Sequence, residues 1–119
     1  MMINVGPLSD FPEGKARAVT INGRDIAIVT WRGAHYAIRN RCPHMHAPLS
    51  DGFLAPKLCA GANVGTIDVD DSSPVLSCPW HIWQFDLKTG QVLGDPKYRI
   101  TTFKTDCREG CLYVDLGRN

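Results

Sequence analysis

Two short pairs of metal-loving residues constrain this chain more than anything else in it. Cys42 and His44 stand as C-x-H in "CPHMHAPLSDG" (42–52), and Cys78 and His81 stand as C-x-x-H in "CPWH", with residues 45 to 77 between the pairs. Two ligands do not hold a metal, but two thiolates and two imidazoles do. A fold that used them must bring two loops, far apart in sequence, to one point. Chemically the set suits a tetrahedral zinc, or a [2Fe–2S] cluster in which two histidines replace two cysteines on one iron. With one Cys and one His on each loop, both loops reach both irons in the second case.

The rest of the chain reads as strands. "RAVTINGRDIAIVT" (Arg17 to Thr30) holds two alternating β-branched runs joined by Asn22-Gly23, a dipeptide suited to the positive φ angles of a tight hairpin turn. "HYAIRN" (His35 to Asn40) is a third strand after the "WRGA" turn. "WQFDLKTGQVL" (Trp83 to Leu93) predicts a hairpin turning at Lys88-Thr89-Gly90. "YRITTFKT" (Tyr98 to Thr105) and "CLYVDL" (Cys111 to Leu116) predict two strands joined by Arg108-Glu109-Gly110. No stretch has clean helical periodicity, so any helix is a single short turn. Short strands with frequent turn signals predict a small all-β sandwich or barrel. At 119 residues the chain is one domain, residues 1–119, with an elaborated insert over about 42–96 carried by the flanking strands.

Several classes are disfavoured. Net charge is +1 with no basic stripe, which argues against nucleic acid as a partner. No segment approaches the roughly 20 apolar residues of a membrane helix. The opening "MMINVGPLSDFPEG" lacks the basic and apolar regions of a signal peptide, so a cytoplasmic location is expected. Thiols stay reduced there, and the odd count of five cysteines (Cys42, Cys59, Cys78, Cys107, Cys111) also favours metal over a disulfide framework.

"CPHMHAPLSDG" and "CPWHIWQFDLKTG", with the closing "YRITTFKTDCREGCLYVDL", resemble the two cluster-binding loops and the end of Rieske [2Fe–2S] proteins over nearly the whole chain. The resemblance implies stacked antiparallel sheets, a base domain with an inserted cluster-binding subdomain. It implies that Cys42 and Cys78 ligate one iron and His44 and His81 the other, and that the chain transfers single electrons. High-potential members carry a further cysteine in each loop, and here those positions hold Ala47 and Trp80. Those members also place serine and tyrosine hydroxyls after the second histidine, where this chain has Trp83 and Phe85. Fewer hydrogen bonds to a reduced cluster lower its potential, so the lower end of the span of about −150 to +300 mV is expected.

The implied role is a Rieske ferredoxin that takes an electron from a flavin-dependent NAD(P)H reductase and passes it transiently to a terminal oxygenase, with no catalytic residues of its own. The alternative is the small subunit of an assimilatory nitrite reductase, which would expose an apolar docking patch. A zinc-stabilised binding module is a third reading, marked by a colourless protein. The gap between the loops is longer than usual for the family's carriers. The excess, Ala55 to Ser73 with Asp68, Asp70 and Asp71, is expected to be a solvated loop, with docking of a basic partner as the less favoured reading. Ile82 stands where glycine is common and bears on access to His81. His46 is expected near the cluster rim rather than as a ligand, His35 as a structural strand residue, and Trp31 as core. Trp80 and Trp83 are divided between shielding the cluster, meeting a partner and ordinary packing. Cys59 is expected to be an ordinary small residue. Cys107 and Cys111 flank a turn across which they could bridge, with free thiols the favoured state.

Overall fold

The computed structural model describes residues 2–42, 48–60, 65, 67–79, 83–93 and 95–117. In chain order its strands are β1 (Met2–Pro7), β2 (Lys15–Ile21), β3 (Arg24–Trp31), β4 (Ala34–Arg39), β5 (Phe53–Ala60), β6 (Ile67–Ser77), β7 (Gln84–Asp86), β8 (Gln91–Val92), β9 (Asp95–Arg99), β10 (Thr102–Arg108) and β11 (Cys111–Asp115). Helix among the described residues is confined to single 3₁₀ turns at Leu8–Asp10 and Leu49–Asp51. No described helix is long and apolar enough to cross a membrane. The all-β expectation holds: β1-β11-β10-β4-β3-β2 form one antiparallel sheet and β5-β6-β7-β8-β9 a second.

Local chemistry explains the hairpins. Asn22-Gly23 turns with φ of 51° and 79°, the two-residue geometry that matches strand twist, and pairs Ile21 with Arg24. Arg32-Gly33 does the same between β3 and β4 at φ of 51° and 78°, although arginine pays steric strain there. The Glu13 carboxylate offsets that cost by accepting from the Arg32 N–H (2.6 Å) and the Gly33 N–H (3.1 Å). Those two donors hold the Glu13 carboxyl below its usual range.

Strand β3 departs from the alternating pattern expected of it. Ile26, Ala27, Ile28 and Val29 are all buried, because both faces of its sheet are covered. Ala27 and Val29 join Ile38, Leu76, Phe85 and Val92 in a core between the two sheets. Ile26 and Ile28 join Phe11, Ile21, Leu112 and Val114 in a second core, inside the curl of the six-stranded sheet. Fully burying one such side chain stabilises by about 1.5–3 kcal/mol.

Three expectations need correction. The run Tyr98 to Thr105 is not one strand: β9 ends at Arg99 in the five-stranded sheet and β10 begins at Thr102 in the other. Ile100 is buried at the crossing and donates its N–H to the Gly90 carbonyl (2.7 Å), while the Thr101 carbonyl accepts from Arg39 N–H (3.0 Å). The described part of the excess, residues 55–60 and 67–73, is not a loop either. It lies in the long β5–β6 hairpin, Phe53 facing Ser77 at one end and Ala60 facing Ile67 at the other, with a bulge after Pro56. The closing turn is Glu109-Gly110 alone, pairing Arg108 with Cys111 and Cys107 with Leu112. Cys107 and Cys111 therefore point to opposite faces of the hairpin and cannot bridge. Both thiols lie outside disulfides, as favoured.

Candidate metal centre

Cys42 leaves the end of β4 and is fully buried, and Cys78 leaves the end of β6 and is 3% exposed. Both belong to the core between the sheets, packed among Leu49, Leu76 and Phe85, and neither is in a disulfide. Among the described residues no group of three metal-ligating side chains is assembled. His44, His81, His46, Ala47, Trp80 and Ile82 lie outside the described residues, so the cysteines are the half of the set that the structure places.

The first loop is tied at its base by Asn40. Its side-chain NH₂ donates to Asp25 Oδ1 (3.3 Å) and Ser50 Oγ (3.0 Å), and its Oδ1 accepts from the Ser50 N–H (2.7 Å). The Asn40 N–H also donates to the Asp25 carbonyl (2.9 Å). One buried amide thus clamps residues 40 and 50 together around Cys42. The second loop is tied by the Cys78 N–H donating to the Trp83 carbonyl (2.8 Å), which joins its two ends.

Gly52 brings the two loops to each other. Its φ of −76° suits any residue, but a Cβ there would collide with the Ser77 carbonyl oxygen and crowd Leu49 O (3.0 Å) and Leu76 Cδ1 (3.2 Å). Glycine is required for closeness, not for turning. Ser77 precedes Cys78, so this contact sets the separation of the two cysteine loops. Neither Asn40 nor Gly52 stood out in the sequence, since each acts through a partner ten or more residues away.

Around the second loop, Trp83 packs partly buried against the core and its ring lies 5.0 Å from that of Tyr98. Phe85 is fully buried and offers no hydroxyl. Below it, Asp86 pairs with Lys57 (3.0 Å) and accepts from the Lys88 N–H (2.9 Å), which shapes the turn at Lys88-Thr89-Gly90. Trp31 packs against the same core, as expected, with the Arg32 guanidinium 6.0 Å from its ring. The side chain of Cys59 is outside the description.

His35 is structural, as expected. The Thr30 hydroxyl gives its hydrogen to the Phe11 carbonyl (2.9 Å), so the 2.9 Å contact to His35 Nδ1 is an N–H donated by the ring. Burial holds the His35 pKa below its ordinary value, against the opposing charge of Glu13.

The donor chemistry fits an iron–sulfur centre. Two thiols reach one apolar region from two loops, and each loop carries a histidine two or three residues beyond its cysteine. Comparison with known proteins agrees. Residues 1–104 match the family model for the Rieske [2Fe–2S] domain. The ferredoxin component of the naphthalene 1,2-dioxygenase/salicylate 5-hydroxylase systems of Ralstonia sp is 34% identical over 79% of this chain and 74% of its own. The 3-phenylpropionate/cinnamic acid dioxygenase ferredoxin subunit of Escherichia coli (strain K12) is 32% identical over 92% of this chain and 89% of its own. A ferredoxin solved in complex with its oxygenase in carbazole 1,9a-dioxygenase superposes with a TM-score of 0.70 at 28% identity, covering 95% of this chain and 91% of that one. A nitrite reductase small subunit structure from Mycobacterium tuberculosis superposes at 0.77 with 18% identity over 96% and 93% of the two chains, a likeness of fold alone. The chain belongs to the Rieske [2Fe–2S] family, whose cofactor is a Rieske-type cluster.

Proposed function

We propose that this chain is the ferredoxin component of an oxygenase system, receiving one electron from a flavoprotein reductase and passing it to a terminal oxygenase. One observation carries the reading: Cys42 and Cys78, outside disulfides, share one apolar core at the roots of two loops that each bear a histidine. In this reading Cys42 and Cys78 hold one iron and His44 and His81 the other, and residues 42–96 act as the cluster-binding subdomain. The cluster supplies reversible one-electron chemistry. The protein's part is to exclude water from the thiolate side and to fix the loop separation, through Leu49, Leu76, Phe85 and Gly52. The two relatives compared above, 34% and 32% identical, are named as a ferredoxin component and a ferredoxin subunit of dioxygenase systems, which supports this role over others.

Trp83 and Phe85 support a potential at the low end of the Rieske span, since neither brings a hydroxyl to a reduced cluster. The site of action in this reading is the cytoplasm, where thiols such as Cys107 and Cys111 stay reduced. The test is absorption and low-temperature EPR of the purified protein before and after dithionite, with iron counted. A red-brown protein with two irons and a rhombic reduced signal of low average g is expected, and its His44→Ala and His81→Ala variants should lose that signal. A colourless protein with one zinc would overturn the reading.

The second reading, a nitrite reductase small subunit, draws on Phe53 (68% exposed) and Leu58 (64% exposed) on β5, an edge strand among the described residues. Apolar groups there are what an obligate subunit would cover. A carrier sediments as a soluble monomer alone, whereas an obligate subunit self-associates or precipitates without its large partner.

A further inference from the structure

The six-stranded sheet curls around its inner core but leaves one end open, where the β2–β3 turn, the end of β4, the start of β10 and the end of β11 meet. There the structure has an open cleft of about 1000 Å³, with Ile26 and Phe103 in its lining. Among the described residues Arg24, Arg39, Arg41 and Lys104 line it, against two carboxylates, Asp25 and Asp115. Both carboxylates are engaged: Asp25 accepts from Asn40 Nδ2 (3.3 Å), and Asp115 accepts from the Gly117 N–H (2.8 Å). Among the described residues, Arg24, Arg39 and Arg41 make no side-chain hydrogen bond or ion pair. Three guanidinium groups are thus gathered on one concave surface and left to solvent, in a chain whose net charge is only +1.

The cleft is joined to the metal centre by the chain itself. Arg41 is the residue before Cys42, a Cα step of about 3.8 Å. Asn40, which clamps the loop around Cys42, is also in the lining. We propose that this cleft is a docking surface for a redox partner that presents a protruding acidic segment, seated by Arg24, Arg39 and Arg41 beside the root of the first cluster loop. The proposal rests on the electron-carrier reading and adds the charge of the partner and the place where it binds. Its breadth favours an acidic protein segment over a lone phosphate. The cations are spread along a cleft at the upper end of the usual pocket range, and a small anion calls for donors that converge on one point. Unpaired surface cations act mainly on encounter rate and orientation, which is what a transient electron donor needs.

The experiment is a titration of the ¹⁵N-labelled holoprotein at low salt with an oligoglutamate peptide, followed by amide shifts. The shifts should gather at Arg24, Arg39, Thr102 and Lys104 and fade as salt is raised toward physiological strength. Arg24→Gln/Arg39→Gln should weaken the peptide roughly tenfold, while Arg24→Lys/Arg39→Lys, which keeps the charge, should hold most of the affinity. Dispersed spectra of both variants show that they fold. Shifts that are absent, or that gather on the five-stranded sheet, would overturn the proposal. Displacement of the peptide by inorganic pyrophosphate at much lower concentration would also overturn it, leaving a small-anion site. The titration involves no electron transfer, so failure of the carrier reading shows separately, as a missing EPR signal in a protein that still binds the peptide.

Discussion

Replacing Gly52 by alanine puts a methyl group where the protein has room only for hydrogen. The new Cβ would press on the Ser77 carbonyl oxygen, with Leu49 O at 3.0 Å and Leu76 Cδ1 at 3.2 Å. Two of these three are backbone atoms, so no rotamer change relieves the contact. Ordinary contact begins near 3.4 Å, so the two segments must open by about 1 Å. Overpacking of this kind costs about 1–3 kcal/mol, a minor part of the roughly 5–15 kcal/mol that holds a domain together. A metal site tolerates far less, only about 0.2 Å in its ligand distances. Gly52 follows the loop of Cys42 and Ser77 precedes Cys78, so the opening falls between the two cysteines. The expected outcome is a variant that folds, with a circular dichroism spectrum like the parent's, but retains little iron and sulfide after purification. Gly23→Ala is the control. Its φ of 79° strains any side chain but no atom lies within 4 Å of the new Cβ, so it should lower the melting temperature and leave iron content alone. Full iron occupancy and an unchanged potential in Gly52→Ala would refute the claim that this contact sets the loop separation.

Asn40→Ala removes three side-chain hydrogen bonds and strands the Ser50 N–H in a partly buried place; a loss of about 3 kcal/mol is expected, read as a lower denaturation midpoint, together with faster cluster loss. Cys107→Ser/Cys111→Ser should keep its two irons and its EPR signal, because both thiols sit on the β10–β11 hairpin and neither belongs to the core that holds Cys42 and Cys78. For His35, burial depresses the folded-state pKa, so the unfolded chain binds the proton more readily. Stability from this group is then present above the unfolded value of about 6.5 and is lost as pH falls below it. His35→Gln should therefore lose less stability than the parent between pH 7.5 and pH 5 in denaturant titrations, and an equal loss in both would contradict the assignment.

The features that the sequence declares locally are the ones the structure confirms. Asn22-Gly23 carries its own turn, and the TG of Lys88-Thr89-Gly90 closes the β7–β8 hairpin through Asp86. The two Cys-His pairs named the chemistry, although the structure places only Cys42 and Cys78 of the four. What was missed depends on distant partners. The split between Arg99 and Thr102 cannot be seen in "YRITTFKT", whose residues all suit a strand; it arises because Ile100 is held by Gly90 and Arg39 by Thr101. The β5–β6 hairpin was hidden by its prolines and aspartates, which read as loop until a pairing strand is supplied. Strand β1 was overlooked because "MINVGP" is short and finds its partner, β11, at the far end of the chain. The both-sided burial of β3 needed knowledge of a second core.

The seam between β4 and β10 consists of two paired positions, Ala37 with Phe103 and Ile38 with Thr102. Closing it spans more than sixty residues, a loop whose ordering must be met before the seam gains anything. The five-stranded sheet between its two edges needs no such wait, since each of its strands pairs with the next one along the chain. A growing chain has therefore made Cys42, His44, Cys78 and His81, and every strand of the five-stranded sheet, before the six-stranded sheet can close at Phe103. Under the ligand set proposed above, the segment that carries all four residues can pair its strands while the six-stranded sheet is still open, and iron should then reach Cys42 and Cys78 more readily than in the closed fold.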